Sequence, residues 1–148
     1  MKLLISEILQ KAHNAKTKAE KIKILRDNES QALKSIFIIN YDESIVSLLP
    51  DGAPPYEKNE APAGTEHTVL EKEQRLLHHF FKGGSKIPNM KRETMFIQLL
   101  EGLHADEAEI ITLVKDKDLQ SKYKITRSVV EQAFSDEEGK EEIHWRDR

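Results

Sequence analysis

The stretch between residues 74 and 114 constrains the fold most strongly. An apolar, aromatic segment runs to Phe81, the pair Gly83-Gly84 follows, and a strongly amphipathic segment begins after Pro88 with Asn89 as its predicted cap. Glycine adopts the left-handed backbone that ends helices, and apolar residues three or four positions apart mark the buried face of a helix. The pattern therefore predicts two core helices joined by a short turn.

The same helical spacing recurs in short segments along the chain. Residues 3–12, 17–27, 28–39, 106–117 and 126–134 each carry an apolar stripe. Polar residues that cap helices precede most of them. The predicted caps are Thr17 in a capping box with Glu20, Asn28, either Thr65 or Thr68 at the start of a long helix to residue 81, Asp106 and Thr126. The run 36–39 also fits a buried strand, but no second strand is evident, so we predict a helix.

A change in composition separates the helical part from two other segments. Residues 49–64 are rich in Pro, Gly, Ala and acid, which predicts a long loop that Tyr56 fixes to the surface. Residues 135–148 carry six acidic residues against three basic ones and few apolar residues, which predicts a disordered acidic tail. We therefore predict one all-α domain over residues 1–134, a compact bundle of six or seven short helices with a Pro-rich loop.

The amino-acid composition excludes several classes of function. The 148 residues include no cysteine, so disulfides, thiolate catalysis and cysteine-based metal sites are excluded. No window approaches the roughly 20 apolar residues of a membrane span, and the first residues do not resemble a signal peptide. We expect a protein of a reducing intracellular compartment with no membrane partner and no cofactor.

The charge distribution singles out the turn in the opening stretch. Residues 74–92 carry five basic residues and no acidic residue, although the whole chain has a net charge of −3. Backbone amides at a helix start and nearby lysines are the ingredients of an anion site. We therefore predict an anion-binding or nucleic-acid-binding site at Lys82, Lys86, Lys91 and Arg92. The alternative is that two glycines end a helix and the lysines keep the turn hydrated.

Other candidate groups indicate no chemistry. His78 and His79 are adjacent, so on a helix they point about 100° apart, and no zinc-ligand spacing is present. The acidic residues fall in helix caps and hydrated faces, and no two of them form a hydrolase pair. We predict no catalytic residues and no metal ligands.

The acidic tail contains one further candidate. After its acidic run, Ile143 and Trp145 form a short apolar segment that is suited to docking in a pocket of a protein partner. The alternative is a plain chain end, since termini are usually poorly ordered.

The chain resembles a family of small uncharacterised proteins of T4-like tailed phages, especially those of marine and cyanobacterial hosts. The resemblance is carried by residues 16–21, 48–56, 64–67, 91–101, 106–109 and 114–117, and it extends to about residue 134. It implies a phage protein that works in the host bacterial cytoplasm. It implies no catalytic residue, because no activity is established for the family.

These observations favour a non-enzymatic phage accessory protein that binds a macromolecular partner, namely host or phage replication or transcription machinery. One alternative is direct nucleic-acid binding without sequence preference through residues 82–92. Another is an enzyme that acts on a phosphorylated small molecule at the same turn. The sequence leaves the oligomeric state open.

Overall fold

The computed structural model describes residues 3–58 and 68–134, and this part of the chain is built from helices. The α-helices are α1 (Ile5–Asn14), α2 (Lys18–Asp27), α3 (Gln31–Tyr41), α4 (Leu70–Glu73), α5 (Asn89–Gly102), α6 (Ala105–Lys115) and α7 (Arg127–Phe134). Two 3₁₀ segments, Gln74–Phe80 and Leu119–Ser121, follow α4 and α6. The two ranges contain no strand, which confirms the prediction of an all-α bundle.

Helix α3 lies at the centre of the bundle. Residues 35–40 are all buried, and α3 packs against α4, α6, α7 and the first 3₁₀ segment. Helices α1, α2 and α7 pack together at one side, and α5 pairs with α6 at the other. A helix that is buried all round belongs in a core. The apolar run 36–39 is therefore helical, as predicted, and not a strand.

The segment before the glycines differs from the predicted long helix. It forms one α-helical turn at α4 and then continues as the 3₁₀ segment Gln74–Phe80. A 3₁₀ helix has three residues per turn, so Leu77 and Phe80 share one face, and both are buried. The buried residues therefore recur at every third position and not at the spacing of an α-helix. A 3₁₀ segment of seven residues is unusually long.

The buried carboxylate of Glu107 caps two helices. Its Oε2 accepts from the amide of Ile5 at 2.9 Å, and its Oε1 accepts from the amide of Leu70 at 3.0 Å. Glu107 is only 1% exposed. The cap predicted for Thr68 is wrong, because the Thr68 hydroxyl donates to Glu73 and the α4 amide is served by Glu107. One carboxylate in α6 thus fixes where α1 and α4 begin.

Two of the predicted caps are confirmed. The Thr17 hydroxyl accepts from the amide of Glu20 at 3.1 Å, and the Thr126 hydroxyl accepts from the amide of Val129 at 3.3 Å. The Glu20 carboxylate returns to the amide of Lys16 at 3.3 Å, one residue earlier than predicted. These side chains satisfy amides that the first turn of a helix leaves without a partner.

Two other predicted caps are wrong by two residues. Helix α3 is capped by Ser30, whose hydroxyl accepts from the amide of Leu33 at 3.1 Å, and not by Asn28. Helix α6 is capped by the ring of His104, which accepts from the amide of Asp106 at 3.1 Å. Several polar residues adjoin each helix start, and spacing alone does not distinguish among them.

The described part of the Pro-rich loop is attached to α6. Lys115 Nζ donates to the carbonyl of Pro50 at 2.8 Å, and the amide of Gly52 donates to Asp116 at 2.9 Å. Tyr56 is partly buried against the core, as expected. Residues 50–58 form no helix or strand. The remainder of the predicted loop, and the predicted tail 135–148, lie outside the described residues.

Lys117 closes the other end of α3. Its Nζ donates to the carbonyls of Ile39 and Asp42, each at 2.7 Å. Its backbone takes the left-handed conformation, with φ of 59°. The sequence places Lys117 at the C-terminus of its own helical segment, where a cation is favourable, whereas the structure shows it at the end of α3. Within residues 3–58 and 68–134, no helix has the length and apolar content to cross a membrane.

Candidate partner-binding surface

The basic turn is held at its start by a short pairing with an earlier segment. The amide of Leu48 donates to the carbonyl of Phe80 at 2.9 Å, and the amide of Lys82 donates to the carbonyl of Val46 at 2.8 Å. These bonds form an isolated antiparallel bridge centred on Ser47. The bridge places the segment 46–48 beside Lys82, a neighbour that sequence spacing did not indicate.

Both glycines of the turn are required by the backbone. Gly83 has φ of 86°, which L-residues rarely adopt. A Cβ on Gly84 would lie 1.8 Å from the carbonyl oxygen of His78. The prediction that Gly83 ends the preceding helix is wrong, because the 3₁₀ segment ends at Phe80 and Phe81 is already extended. The left-handed backbone of Gly83 shapes the turn that follows, and Gly84 is explained by the close approach of two backbone segments. The glycines therefore serve the architecture of the turn.

Arg92 is buried beneath the turn. Its guanidinium donates to the carbonyl of His79 at 2.8 Å, to the carbonyl of Ile87 at 3.0 Å and to the side chain of Asn89. Asn89 is the first residue of α5, and Pro88 occupies the cap position predicted for it. Arg92 thus ties the start of α5 to the end of the 3₁₀ segment. Because the side chain points inward, we leave it out of the candidate surface.

The three lysines predicted with Arg92 are exposed. Lys82 and Lys86 lie in the turn, and Lys91 lies in the first turn of α5. None of the ion pairs that the structure shows among its described residues includes one of these three. Exposed lysines that form no ion pair with a described carboxylate contribute a local positive field at this surface.

The two histidines lie together beside the turn. The ring centroids of His78 and His79 are 4.0 Å apart. The two rings therefore lie together and do not point apart as they would on an α-helix. His78 Nδ1 contacts the carbonyl of Arg75 at 2.8 Å, and His79 Nδ1 contacts the hydroxyl of Ser85 at 3.0 Å. Burial lowers the pKa of His79, and positive charge at His78, Lys91 and Arg92 lowers it further. Within the described ranges, no three His, Cys, Asp or Glu residues form a metal-binding group.

Large apolar side chains are exposed next to these lysines. The exposed fraction is 47% for Val46, 38% for Leu48 and 81% for Met90. The carbonyl of Val46 accepts from the Lys82 amide, and Met90 directly precedes Lys91. We use "basic-apolar surface" for the set Val46, Leu48, Lys82, Lys86, Met90 and Lys91.

The sequence missed the apolar half of this surface. Ile45, Val46, Leu48 and Leu49 fall within five positions, and this apolar cluster predicts that all four pack against the core. The structure buries Ile45 and Leu49, whereas Val46 and Leu48 face outward. An extended segment alternates its side chains between two faces, and residues 45 and 49 share one of them. The sequence pattern that could have predicted this exposure is the alternation of side chains along an extended segment. Five residues are too few to distinguish an extended segment from a helical turn.

The last pair of predicted site residues is Ile143 and Trp145. Both lie in the segment 135–148, outside the described residues. Their predicted role in partner binding therefore stays a prediction.

The fold and this surface define a small all-α protein that exposes lysines and apolar side chains together. A family model described as a family of unknown function, DUF6433, matches residues 8–121, and the chain belongs to this family. Searches of curated proteins and of solved structures found no match. The matched residues include Glu107 and the whole basic-apolar surface, and they end before α7.

Proposed function

We propose that this protein is a non-enzymatic accessory protein of a tailed phage, and that it binds a protein of the replication or transcription machinery in the host cytoplasm. The phage setting is supported by the resemblance carried by residues 16–21, 48–56 and 91–101, among others. The binding role is supported by one structural observation, the exposure of Val46, Leu48 and Met90 beside three exposed lysines that form no ion pair with another described residue.

The chemistry of the surface favours a protein partner with an acidic rim. Apolar anchors that become buried contribute most of the energy of a protein interface. Charged residues around them set the association rate and the choice of partner. Met90 adds an unbranched, flexible side chain that adapts to the shape of a partner. A partner that places apolar residues against Met90 and carboxylates against Lys86 and Lys91 would match both features.

Direct binding to nucleic acid is the second candidate. It is favoured by the absence of acidic residues from 74 to 92 and by the exposure of Lys82, Lys86 and Lys91. Lysines at these positions would contact phosphates and would not read the base sequence. The exposed apolar side chains are not explained by this candidate, because a phosphate backbone offers them nothing to pack against.

The third candidate, an enzyme acting on a phosphorylated small molecule, has less support. Such an enzyme needs a concave site with convergent polar groups at the turn. One cavity in the described part of the chain lies between α2 and α7, and the residues that line it include none of the turn.

A capture experiment from infected cells tests the proposal. The baits are the wild type, Leu48→Ser with Met90→Ser, and a triple variant that replaces Lys82, Lys86 and Lys91 by Glu. The control bait carries the same triple charge change at Lys11, Lys16 and Lys124, which are exposed elsewhere. We expect one set of partners on the wild type and the control and its loss from both surface variants. Equal capture by all four baits would contradict the proposed surface.

Salt dependence separates the protein partner from nucleic acid. If the purified protein binds DNA or RNA through the three lysines, its affinity falls linearly with salt on a logarithmic scale. Each lysine changed to Ala then reduces that slope by about 0.9. An affinity for nucleic acid that does not change with salt would rule out the second candidate.

A further inference from the structure

A shallow groove runs between α2 and α7, away from the basic-apolar surface. It encloses about 360 Å³ and is lined by Ala19, Ile22, Lys23, Arg26, Asp27 and Gln132. Leu25 is the fully buried residue of α2, whereas Ile22 is only partly buried and Ala19 is exposed. The floor of the groove is thus apolar surface of α2 that no described residue covers completely.

The chain leaves α7 at one end of this groove. Arg26 Nε donates to the carbonyl of Ala133 at 3.1 Å, and its Nη2 donates to the carbonyl of Gln132 at 2.7 Å. Phe134, the last residue of α7, is buried and packs against Phe37 with ring centroids 6.1 Å apart. These contacts place the end of α7 beside Arg26, at one end of the groove.

The two helices run in the same direction along the groove. Lys18, at the start of α2, donates to the hydroxyl of Ser128 at 2.8 Å near the start of α7. Arg26, at the other end of α2, contacts the end of α7. A segment that leaves α7 and turns back therefore passes Arg26 and Lys23 before it reaches Ile22 and Ala19. Fourteen residues span at most about 45 Å when extended, which is ample for this path.

The residues that follow α7 complement the groove in the same order. Five of the eight residues from 135 to 142 are acidic, and Ile143 and Trp145 come after them. Lys23 is paired with Asp27 at 3.0 Å, but both side chains are largely exposed, so this pair contributes little and can exchange partners. Acidic residues would thus meet Lys23 and Arg26 first, and the apolar pair would meet Ile22 and Ala19.

We propose that residues 135–148 dock in the α2–α7 groove of the same chain, with Trp145 against Ala19 and Ile22 and the acidic run beside Lys23 and Arg26. Docking covers the apolar surface of α2. It also withholds Trp145 from any outside partner until a competing pocket displaces it. This inference is independent of the proposed role of the basic-apolar surface, because it involves neither the turn nor α5.

Trp145 is the sole tryptophan of the chain, so its fluorescence reports directly on the proposal. The full-length protein is compared with a synthetic peptide of residues 135–148. We expect the emission of the protein to be shifted to shorter wavelength and to be less accessible to acrylamide than that of the peptide. Raising the salt concentration should move both readings toward the peptide values, because exposed charge pairs are screened.

Two variants locate the docking site. Ala19→Glu places a carboxylate in the groove at an exposed helical position that tolerates Glu, and it should restore the emission and quenching of the free peptide. Gln98→Glu makes the same change in charge at an exposed position of α5, outside both the groove and the basic-apolar surface, and should leave both readings unchanged. Far-UV circular dichroism confirms that both variants keep their helical content.

Three outcomes would overturn the proposal. Emission and quenching equal to those of the free peptide in the wild type would show that Trp145 does not dock. Protection that persists in Ala19→Glu would place the segment elsewhere. Protection that disappears on dilution would show that the segment docks on a second copy and not on its own chain.

Discussion

Two neighbouring residues of α5, Lys91 and Arg92, represent two regions in which this protein uses charge differently. Arg92 is 4% exposed and donates to three acceptors beneath the turn, whereas Lys91 is exposed and has no ion-pair partner among the described residues. The interior region extends to the buried Glu107 and Lys115 and to the half-buried Lys117, whose charged atoms hold backbone groups of other elements. The surface region consists of Lys82, Lys86 and Lys91.

The difference in burial shows that the same types of charged residue serve either stability or binding. A buried charge is stable only when hydrogen bonds replace its water, so the interior charges fix where helices begin and end. An exposed lysine keeps its water and remains available to a partner. Whether a charged residue of this chain stabilises the fold or is available to a partner therefore depends on its burial. The two regions should respond differently to substitution, with effects on stability in the interior and effects on binding at the surface.

Glu107→Ala should have the largest effect on stability. The substitution leaves the amides of Ile5 and Leu70 without acceptors at two helix starts. A lost cap costs roughly 1 kcal/mol, and a buried donor without a partner costs about 1–3 kcal/mol, so we expect a loss of about 4 kcal/mol in the free energy of unfolding. Urea unfolding measures it.

The matched control for Glu107 is the exposed Glu93→Ala in α5, which should change the free energy of unfolding by less than about 0.5 kcal/mol. Glu107→Gln should fall between the two, since the amide keeps one acceptor oxygen. Equal stability of Glu107→Ala and Glu93→Ala would show that the buried carboxylate is not what fixes these helix starts.

The pair Arg92→Ala and Lys91→Ala tests the comparison at adjacent positions. Removing the guanidinium leaves the carbonyls of His79 and Ile87 without that donor and opens a gap under the turn. Hydrogen bonds to a charged group contribute about 1.5–3 kcal/mol, so we expect Arg92→Ala to lose about 3 kcal/mol. Lys91→Ala should stay within about 0.5 kcal/mol. Similar losses in the two variants would remove the distinction between interior and surface.

The sequence was sufficient for the helices and insufficient for these roles. Helical spacing and the caps at Thr17 and Thr126 predicted the all-α bundle, because both depend on residues close together in the chain. The sequence pattern places Glu107 among several acidic residues at the start of the helix that begins near Asp106, with nothing to distinguish it from them. Its partners, Ile5 and Leu70, lie far away in sequence, and local pattern carries no information about them.

The candidate surface shows the same limit. The acid-free segment from 74 to 92 directed attention to the turn, and its three lysines are exposed. The sequence grouped Arg92 with them because an arginine and a lysine have the same charge, although a planar guanidinium with five donors is the better buried connector. The exposure of Val46 and Leu48 depends on the bridge to residues 80–82, which only the folded chain brings together.

The smallest expected effect is a pH dependence that links the two regions at His79. Burial lowers the pKa of His79 below its ordinary value of about 6.5, and the charges of His78, Lys91 and Arg92 lower it further. As the pH falls through about 6.5, the unfolded chain binds a proton at this position before the folded chain does. The contribution of His79 therefore reduces stability toward acid pH.

We expect His79→Asn to lose less stability than the wild type between about pH 7 and pH 5, as measured by urea unfolding across that range. The ring should also titrate at a higher pH in Lys91→Ala, because one neighbouring positive charge is removed, and NMR titration of His79 measures this shift. Lys124→Ala removes an exposed lysine that does not contribute to the lowered pKa, so the titration should not change in that variant. If Lys91→Ala and Lys124→Ala gave the same His79 titration, Lys91 would not act on this ring, and the surface and interior charges would be independent.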